Sequence, residues 1–359
     1  MAIYTYLPPY LLALGMDVSN IVWVVTIFPL SSVLFPPFIG KISDKIQNRH
    51  MFFIIGSVGL IFTFVLILAL ENVLLTILLL FLYGMCAAGF KVIFVLFAEL
   101  VENDQKWISI YYGTVSLGWF FGAFFCGLFV EIYNVSLLFL FLLIFAVVTT
   151  AFVPFVKEDR ALIWDRFEEK RIQEGGIFNT ESDDVSPISS SIYYGLYFRN
   201  FGVRPILSIL AIIMAMHINN DAQIGFLVGI NPLIQFFLMI LMGRIITKNN
   251  LKTILAIGYI LNAIVIIGYI FSAGFFSYLF FQILISISYS MFWNGTQIYI
   301  AQHTTPENKG KYVGYGTTSF FLGSFTGGLF FGWLITVFSG YYPAMYFMIM
   351  FPVLSAIFI

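Results

Sequence analysis

Charged residues are scarce in this chain of 359 residues. Asp, Glu, Lys and Arg make up 10% of it, whereas a soluble domain of this size carries roughly a quarter. Apolar residues account for 60%. This surplus has to face a lipid bilayer, which excludes a water-soluble enzyme. The net charge of −1 leaves no basic surface to neutralise phosphates, so we expect no nucleic-acid partner.

Cysteine is equally scarce, and the sequences typical of many enzymes are missing. Cys86 and Cys126 lie in apolar stretches and are too few for a disulfide framework or a four-ligand zinc site. The chain has no HExxH, GxSxG or Walker lysine sequence, and its histidines stand singly. We therefore expect a protein that is not an enzyme and holds no cofactor or metal.

Long apolar runs, in contrast, are abundant. Most are near the ~20 residues that cross ~30 Å of hydrocarbon. They cover 18–40, 50–70, 73–98, 107–131, 134–156, 192–217, 221–243, 252–273, 275–301, 311–337 and 340–359. A shorter run, 2–15, is too short to cross at ~1.5 Å per residue. The sequence predicts an all-α membrane protein with twelve transmembrane helices, the first truncated, in a chain that continues at both ends.

Basic residues collect on one side of the predicted bundle. Short cytoplasmic loops retain Lys and Arg. Every basic residue except Lys91 lies after the second, fourth, eighth or tenth helix, in segment 157–191, or in the first half of the seventh helix. This bias predicts a multi-pass protein of the cell membrane with both termini cytoplasmic.

One long polar stretch, 157–191, divides the chain. Its first part mixes charged and apolar residues, which predicts an amphipathic helix along the membrane surface. Its Gly- and Ser-rich remainder is typical of a flexible linker. We therefore expect a six-helix bundle over 1–156, a cytoplasmic linker, and a second six-helix bundle over 192–359.

The two halves align with each other at a constant offset of 203 residues. Gly40 pairs with Gly243 and Lys106 with Lys309. The sequence Tyr-Gly-Thr-x-Ser at 112–116 recurs at 315–319. Shared apolar composition does not pair such a segment with its own copy, so the pattern indicates a duplicated six-helix unit.

A glycine, an acid and two bases follow the second apolar run. Gly40 allows close helix approach, and Asp44 can form ion pairs with Lys45 and Arg49. Such a cluster can latch one half of the bundle against the other. The alternative is an ordinary solvated turn that obeys the positive-inside rule.

This pattern resembles the signature of the major facilitator superfamily, Gly-x-x-x-Asp-(Arg/Lys)-x-Gly-Arg-(Arg/Lys), although Gln47 stands where the family usually has Gly. The resemblance implies two bundles related by a pseudo-twofold axis along the membrane normal, rocking about a central site. It implies a monomeric secondary active transporter of a small organic solute, a symporter or antiporter, and we expect a prokaryotic source. The family's acidic residue helps hold the inward side closed. Thr247 replaces it in the second half, so the resemblance implies a one-sided charged latch.

Small residues recur at helical spacing in the fifth and eleventh helices, and they predict close helix packing. They are Gly118, Gly122, Gly127, Gly323 and Gly327. The spacing in the fifth helix resembles a motif of the family's drug/proton antiporters, with Ala123 in place of Pro. Generic packing is the alternative interpretation.

Lys91 lies about halfway along the fourth helix, where an unpaired cation is costly. It either faces a wet cavity, binding an anionic substrate group or taking part in proton coupling, or it snorkels to the headgroups.

Family members commonly bind substrate between helices 1, 4, 7 and 10, and the repeat gives Lys91 the counterpart Asn294. The predicted cavity group is Lys91, Asn294, Gln297 and Trp293, with Asn231, Gln235, Tyr112 and Tyr315 as weaker candidates. Hydrogen bonding between helices is the alternative for each polar member. Arg199, Asn200 and Arg204 either anchor the seventh helix or reach the cavity.

Two substrate classes remain open. An aromatic-rich lining favours efflux of amphipathic compounds, whereas Lys91 favours an organic anion. A proton is one candidate coupling ion, although Leu80 replaces the Arg that many proton-coupled members carry four residues before a Gly, here Gly84. The rival interpretation is a non-transporting membrane sensor or scaffold on the same bundle.

Overall fold

The computed structural model describes residues 2–16, 30–70, 73–173 and 188–359. In this part of the chain all regular secondary structure is helical. The helices are α1 (Ala2–Ala13), α2 (Leu30–Ile46), α3 (Arg49–Leu70), α4 (Val73–Phe90), α5 (Ile93–Leu100), α6 (Gln105–Tyr133), α7 (Leu138–Phe152), α8 (Arg160–Gln173), α9 (Ser191–Ala215), α10 (Asp221–Ile245), α11 (Leu251–Phe271), α12 (Phe275–Gln302), α13 (Lys309–Phe338), α14 (Tyr341–Met348) and α15 (Met350–Ile357). Single 3₁₀ turns, Val135–Leu137 and Val153–Phe155, flank α7.

Nine helices in the described ranges are long and apolar enough to cross a membrane, with α4 and α5 counted as one. The apolar runs predicted them to within a few residues, because the length that hydrocarbon imposes is visible in composition alone. Helices α14 and α15 form a shorter apolar segment, Tyr341–Ile357. Much of the predicted second span, 18–29, lies outside the described residues.

Two boundaries differ from the prediction. The fourth predicted span is broken at Lys91 and Val92, where Val92 N–H bonds the oxygen of Gly89, three residues back, at 3.2 Å. Helix α2 runs to Ile46 rather than ending at residue 40, so Asp44 lies on a helix and not in a turn. The polar residues here end the apolar run, but they are compatible with a helix that continues into water. The first part of segment 157–191 is helical, as α8, as the sequence predicts, and 174–187 lies outside the described residues.

The repeat is visible in the helix boundaries. Shifting α3 by 203 residues gives 252–273, beside the observed α11. Shifting α6 gives 308–336, beside the observed α13. The structure therefore places equivalent helices at the offset found in the sequence, as a duplicated unit requires.

Buried apolar residues form three clusters that show how the halves meet. One cluster joins both halves, with Phe94 and Tyr112 from the first and Tyr289 and Phe320 from the second. The other two lie within one half each. We call the end of the bundle at which α2 ends and α13 begins the basic side. The shared cluster lies toward this side, so the halves pack there and keep separate cores at the other side.

The halves meet along two helix pairs, α2 with α13 and α6 with α10. Glycines permit the first of these approaches. A Cβ on Gly314 would lie 2.6 Å from the Cα of Pro37, and a Cβ on Gly40 would overlap the backbone oxygen of Gly310. The α2–α13 contact is therefore backbone against backbone.

Alanine at Gly40 should destabilise this closed arrangement. Its Cβ meets fixed backbone rather than a side chain that can move, so α2 and α13 have to separate and overpacking costs about 1–3 kcal/mol. Gly122→Ala is the matched control, since no described atom lies within 4 Å of its Cβ position. The melting temperature of the purified protein should fall for Gly40→Ala alone; equal melting temperatures would contradict the contact.

Candidate functional site

Asp44 caps a helix of the opposite half. Its Oδ1 accepts the N–H of Gly310 at 3.0 Å, and its Oδ2 accepts the N–H of Lys311 at 2.8 Å. Both N–H groups belong to the first turn of α13, where unpaired donors and the helix dipole favour a negative charge. Because Asp44 lies on α2, this contact ties the two halves together.

Arg49 connects this cap to two further groups. Its Nη1 lies 2.6 Å from Asp44 Oδ1 and donates to Ser43 Oγ at 2.9 Å. Its Nη2 donates to Glu99 Oε1 at 3.0 Å and to the oxygen of Pro306 at 2.7 Å. The guanidinium is fully buried. Its charge is therefore compensated by carboxylates and a carbonyl rather than by water.

Glu99 extends the network to α8. Its second oxygen, Oε2, accepts from Arg160 Nη1 at 2.9 Å, and Arg160 Nε donates to the oxygen of Gln47 at 2.9 Å. Glu158 Oε2 accepts the N–H of His50 at 2.7 Å. We call Asp44, Arg49, Glu99 and Arg160 the latch. It joins α2, α3, α5, α8 and α13 at the basic side.

The latch only partly matches the sequence prediction. Asp44 and Arg49 pair as expected, but Lys45 is exposed and takes no part in the recorded ion pairs of the described residues. Glu99 and Arg160 were missed, and so was Lys309, whose buried Nζ donates to Asn103 Oδ1 at 2.6 Å. The only sequence signal for these residues is a charged side chain at the end of an apolar run.

The backbone conformation of Gln47 explains why the signature of the major facilitator superfamily has a glycine at this position. It ends α2 with a φ of +57°, in the left-handed region that glycine adopts without steric cost. Its N–H still donates to the oxygen of Ser43 at 3.0 Å. Gln47 therefore occupies a left-handed position that its side chain disfavours, in keeping with the glycine of the signature that this segment resembles.

Glycine at position 47 should stabilise the protein. It removes the left-handed strain of a non-glycine residue, which is worth roughly 1 kcal/mol, and leaves the backbone hydrogen bond in place. Thermal unfolding should show a raised melting temperature for Gln47→Gly and a lowered one for Gln47→Val, whose β-branched side chain fits this conformation worst. A lowered melting temperature for the glycine variant would show that the Gln47 side chain outweighs the strain.

The equivalent interface between α6 and α10 is held by neutral groups. Gln105 Nε2 donates to the oxygen of Ile246 at 2.6 Å. Beside it, Tyr112 of α6 donates its hydroxyl hydrogen to Gln297 Oε1 of α12 at 2.8 Å. Among the described residues no ion pair joins these helices. The charged latch is one-sided, in keeping with Thr247 in place of an acid.

Several predicted cavity residues lie in the closed interface. Asn294 is fully buried, and its Nδ2 donates to Ser109 Oγ at 2.8 Å and to the oxygen of Met239 at 3.0 Å. Gln297 is buried against Tyr112. In this conformation these side chains hold the halves together and do not line an open cavity. They lie closer to the basic side than the contact of Lys91 with Phe321 does, in the region where the halves pack.

The remaining candidates are scattered. Asn231 Nδ2 donates to Gln282 Oε1 at 3.2 Å, and the amide of Gln235 donates to Asn231 Oδ1. These bonds stay within the second half. Tyr315 is exposed near the basic side, with Lys311 Nζ 5.7 Å from its ring centroid. Of the weaker candidates, none of these three touches Lys91 in the recorded contacts.

Lys91 faces the other half of the molecule. It is exposed, yet its Nζ lies 5.0 Å from the ring centroid of Phe321 on α13, a cation–π distance. Phe321 is about 18 Å along α13 from the basic side at ~1.5 Å per residue. The ammonium is therefore turned into the cleft between the halves and is not lifted to the basic surface, as snorkelling requires.

Arg204 approaches the same place from the second half. Its guanidinium carbon lies 4.8 Å from the ring centroid of Phe320, and the rings of Phe320 and Phe321 are 5.3 Å apart. Trp293 packs edge-on against Phe320 at 5.1 Å. Two cations, one from each half, thus border an aromatic wall on α13.

Carboxylates are absent from this region of the described chain. The acids on described membrane helices stand near helix ends, and Glu99 belongs to the latch. Arg199, the third interior cation, is buried and donates only to the amide oxygens of Asn200 and Asn262. Among the described residues, therefore, Lys91 and Arg204 have no carboxylate within 4.0 Å.

Comparison with known protein families identifies the family to which the chain belongs. The profile of the Major Facilitator Superfamily matches residues 1–217 and 192–359. The chain belongs to the major facilitator superfamily. It is thus a multi-pass membrane protein of a family of secondary transporters of small solutes, and the resemblance drawn from the signature is confirmed. Among curated proteins, no sequence matches this one.

Solved structures of other major facilitator transporters have the same fold. The human organic anion transporter MFSD10 (TETRAN) superposes with a TM-score of 0.77 at 15% identity, covering 97% of this chain and 87% of that chain. The proton:xylose symporter XylE, bound to 6-bromo-6-deoxy-D-glucose, gives 0.72 at 13% identity, with 99% and 90% covered. At these identities the likeness establishes the fold alone.

The predicted packing glycines divide into two groups in this major facilitator fold. A Cβ on Gly323 or Gly327 would overlap the backbone of α9, and one on Gly127 would lie 2.6 Å from the hydroxyl of Tyr6. These three lie at close contacts. At Gly118 and Gly122 no described atom lies within 4 Å of the Cβ position. Among the described residues these two glycines therefore have no close neighbour, and their role in helix packing stays a prediction.

Proposed function

We propose that this major facilitator protein is a secondary active transporter of a small organic anion that works by alternating access. The position of Lys91 carries the proposal. Its ammonium lies in the cleft between the halves, against Phe321 of the opposite half, with no described carboxylate nearby. An uncompensated cation at membrane depth is costly, and an anionic substrate removes that cost.

The conformation fits one state of such a cycle. The latch and the shared cluster close the basic side, whereas the halves have separate cores at the other side. The positive-inside rule assigns the basic side to the cytoplasm. In our proposal this state is therefore closed to the cytoplasm and open outward, and both termini are cytoplasmic.

The transport step follows from these two features. Anion binding between Lys91 and the aromatic wall of α13 engages both halves and favours their closure around it. Opening to the cytoplasm then requires the latch to separate, because Asp44 and the first turn of α13 belong to different halves. Without a nucleotide motif in the sequence, the energy comes from a gradient, of the anion itself or of a coupling ion such as a proton.

Ligand-dependent thermal stability tests this assignment. The purified protein is heated in the presence of organic anions, neutral sugars and lipophilic cations in turn. A ligand at about 100 times its Kd adds roughly 2.7 kcal/mol to the free energy of unfolding. We expect anions alone to raise the melting temperature. Stabilisation by lipophilic cations would contradict the proposal, because Lys91 and Arg204 repel them.

A further inference from the structure

Two cations from different halves border one aromatic wall. Lys91 lies in the break between α4 and α5, and Arg204 lies on α9. Each rests on one of two consecutive rings of α13, Phe321 and Phe320, at 5.0 Å and 4.8 Å. The two ring centroids are 5.3 Å apart, so the cations rest on consecutive residues of one helix.

Arg204 is free to bind a ligand, unlike its neighbour Arg199. The guanidinium of Arg199 is buried and uses Nε, Nη1 and Nη2 on the amides of Asn200 and Asn262. Arg204 is only half-buried and makes no hydrogen bond or ion pair recorded within the described ranges. Its five N–H donors suit a carboxylate held through two parallel bonds.

The charges favour a ligand with two negative groups. Lys91 and Arg204 together carry two positive charges, and Arg199 adds a third within the same half as Arg204. A monoanion compensates only one of the two cations at the wall. A dianion compensates both, and Phe321, which is only partly buried, offers an apolar surface to the body that separates the two groups.

We propose that the substrate is a dianionic organic solute, with one anionic group held by Lys91 and the other by Arg204. This inference rests on the proposed anion transport and specifies its substrate class. Because the two cations belong to different halves, such a ligand bridges them directly. The ligand then binds more tightly to the state in which the halves close around it. This difference in affinity between two states is what allows a ligand to shift a conformational equilibrium.

The test compares linear aliphatic dicarboxylates of increasing length with their monomethyl esters, which have nearly the same shape but one charge. Affinities are measured from the ligand dependence of the melting temperature of the full-length protein. A lost charge-assisted contact predicts that the best dicarboxylate binds about 10- to 100-fold more tightly than its half-ester. One chain length should be optimal, because both cations rest on consecutive rings of one helix, Phe321 and Phe320.

Variants assign the two contacts. In Arg204→Gln the affinity for the dicarboxylate should fall to that for its half-ester, whereas the affinity for the half-ester should change little. The preference for one chain length should disappear. Arg204→Lys keeps the charge without the fork geometry, so its effect should be intermediate. Arg244→Gln is the matched control, because Arg244 is exposed at the end of α10.

The possible outcomes separate this inference from the proposed function. If half-esters bind wild-type protein as tightly as dicarboxylates, and Arg204→Gln changes neither, the two-cation inference is overturned while anion transport through Lys91 stands. If no carboxylate of either charge binds the wild-type protein, both fall. The wild-type comparison needs no variant, so it remains decisive even if an Arg204 variant fails to fold.

Discussion

Methionine in place of Arg49 should open the basic side of the bundle. The change leaves Asp44 buried without the guanidinium 2.6 Å away and removes one of the two arginines on Glu99. Removing one partner of a buried ion pair costs about 3–5 kcal/mol. At a factor of ten per 1.4 kcal/mol, the latched state loses more than about 100-fold relative to a state in which these carboxylates are hydrated.

Distances between spin labels measure this shift. Labels at the exposed residues Lys106 and Lys252 report on the basic side, and labels at Tyr133 and Phe276 report on the opposite side. In every sample the buried Cys86 and Cys126 are first replaced by alanine. Arg49→Met should lengthen the first distance and shorten the second.

Arg244→Met serves as the control for this experiment. Arg244 is exposed on the same side and forms no recorded ion pair among the described residues, so both distances should stay at their wild-type values. Identical distance distributions for wild type and Arg49→Met would show that the latch does not hold the basic side closed.

Glutamine in place of Lys91 should abolish most of the stabilisation by organic anions. The substitution keeps a hydrogen-bonding side chain but removes the charge that lies over Phe321. A hydrogen bond to a charged group contributes about 1.5–3 kcal/mol, so the Kd for an anion should rise about 10- to 100-fold. Melting temperatures measured over a range of anion concentrations give both Kd values.

Lys248→Gln is the matched control for the Lys91 variant. Lys248 is an exposed residue of the loop after α10, so its loss changes the net charge equally without touching the cleft. Its anion affinity should equal that of the wild type. An unchanged affinity in Lys91→Gln would remove Lys91 from the site and leave the half-buried Arg204 as the only cleft cation that contacts the aromatic wall of α13.

The membrane-spanning helices and the repeat could be predicted from sequence because both depend on local or periodic signals. Hydrocarbon thickness fixes helix length, and duplication fixes the offset between α3 and α11. The latch could only be half predicted. Asp44 and Arg49 are close in sequence, but Glu99 is 50 residues from Arg49 and Arg160 is 61 residues from Glu99. Nothing in a single sequence indicates that these charges meet.

The candidate site shows a second limit of prediction from sequence. An internal repeat predicts the position of a residue on the backbone but not the surroundings of its side chain. Lys91 and Asn294 are equivalent by the offset of 203, yet Lys91 lies at a helix break and is exposed, whereas Asn294 lies within the continuous helix α12 and is buried. The difference arises from the closed interface with α6 and α10, which covers Asn294. Arg204 has no sequence signal beyond being a cation in an apolar helix.

Gradient-driven flux of an organic anion shows directly whether this protein is a transporter. The purified protein is reconstituted into proteoliposomes loaded with the organic anion that most raises its melting temperature, and entry of the same labelled anion is followed without ATP. We expect saturable accumulation driven by an anion or proton gradient, absent in Lys91→Gln and retained in Lys248→Gln. Tight binding without flux under any imposed anion, proton or sodium gradient would contradict it and identify a membrane sensor built on a transporter fold.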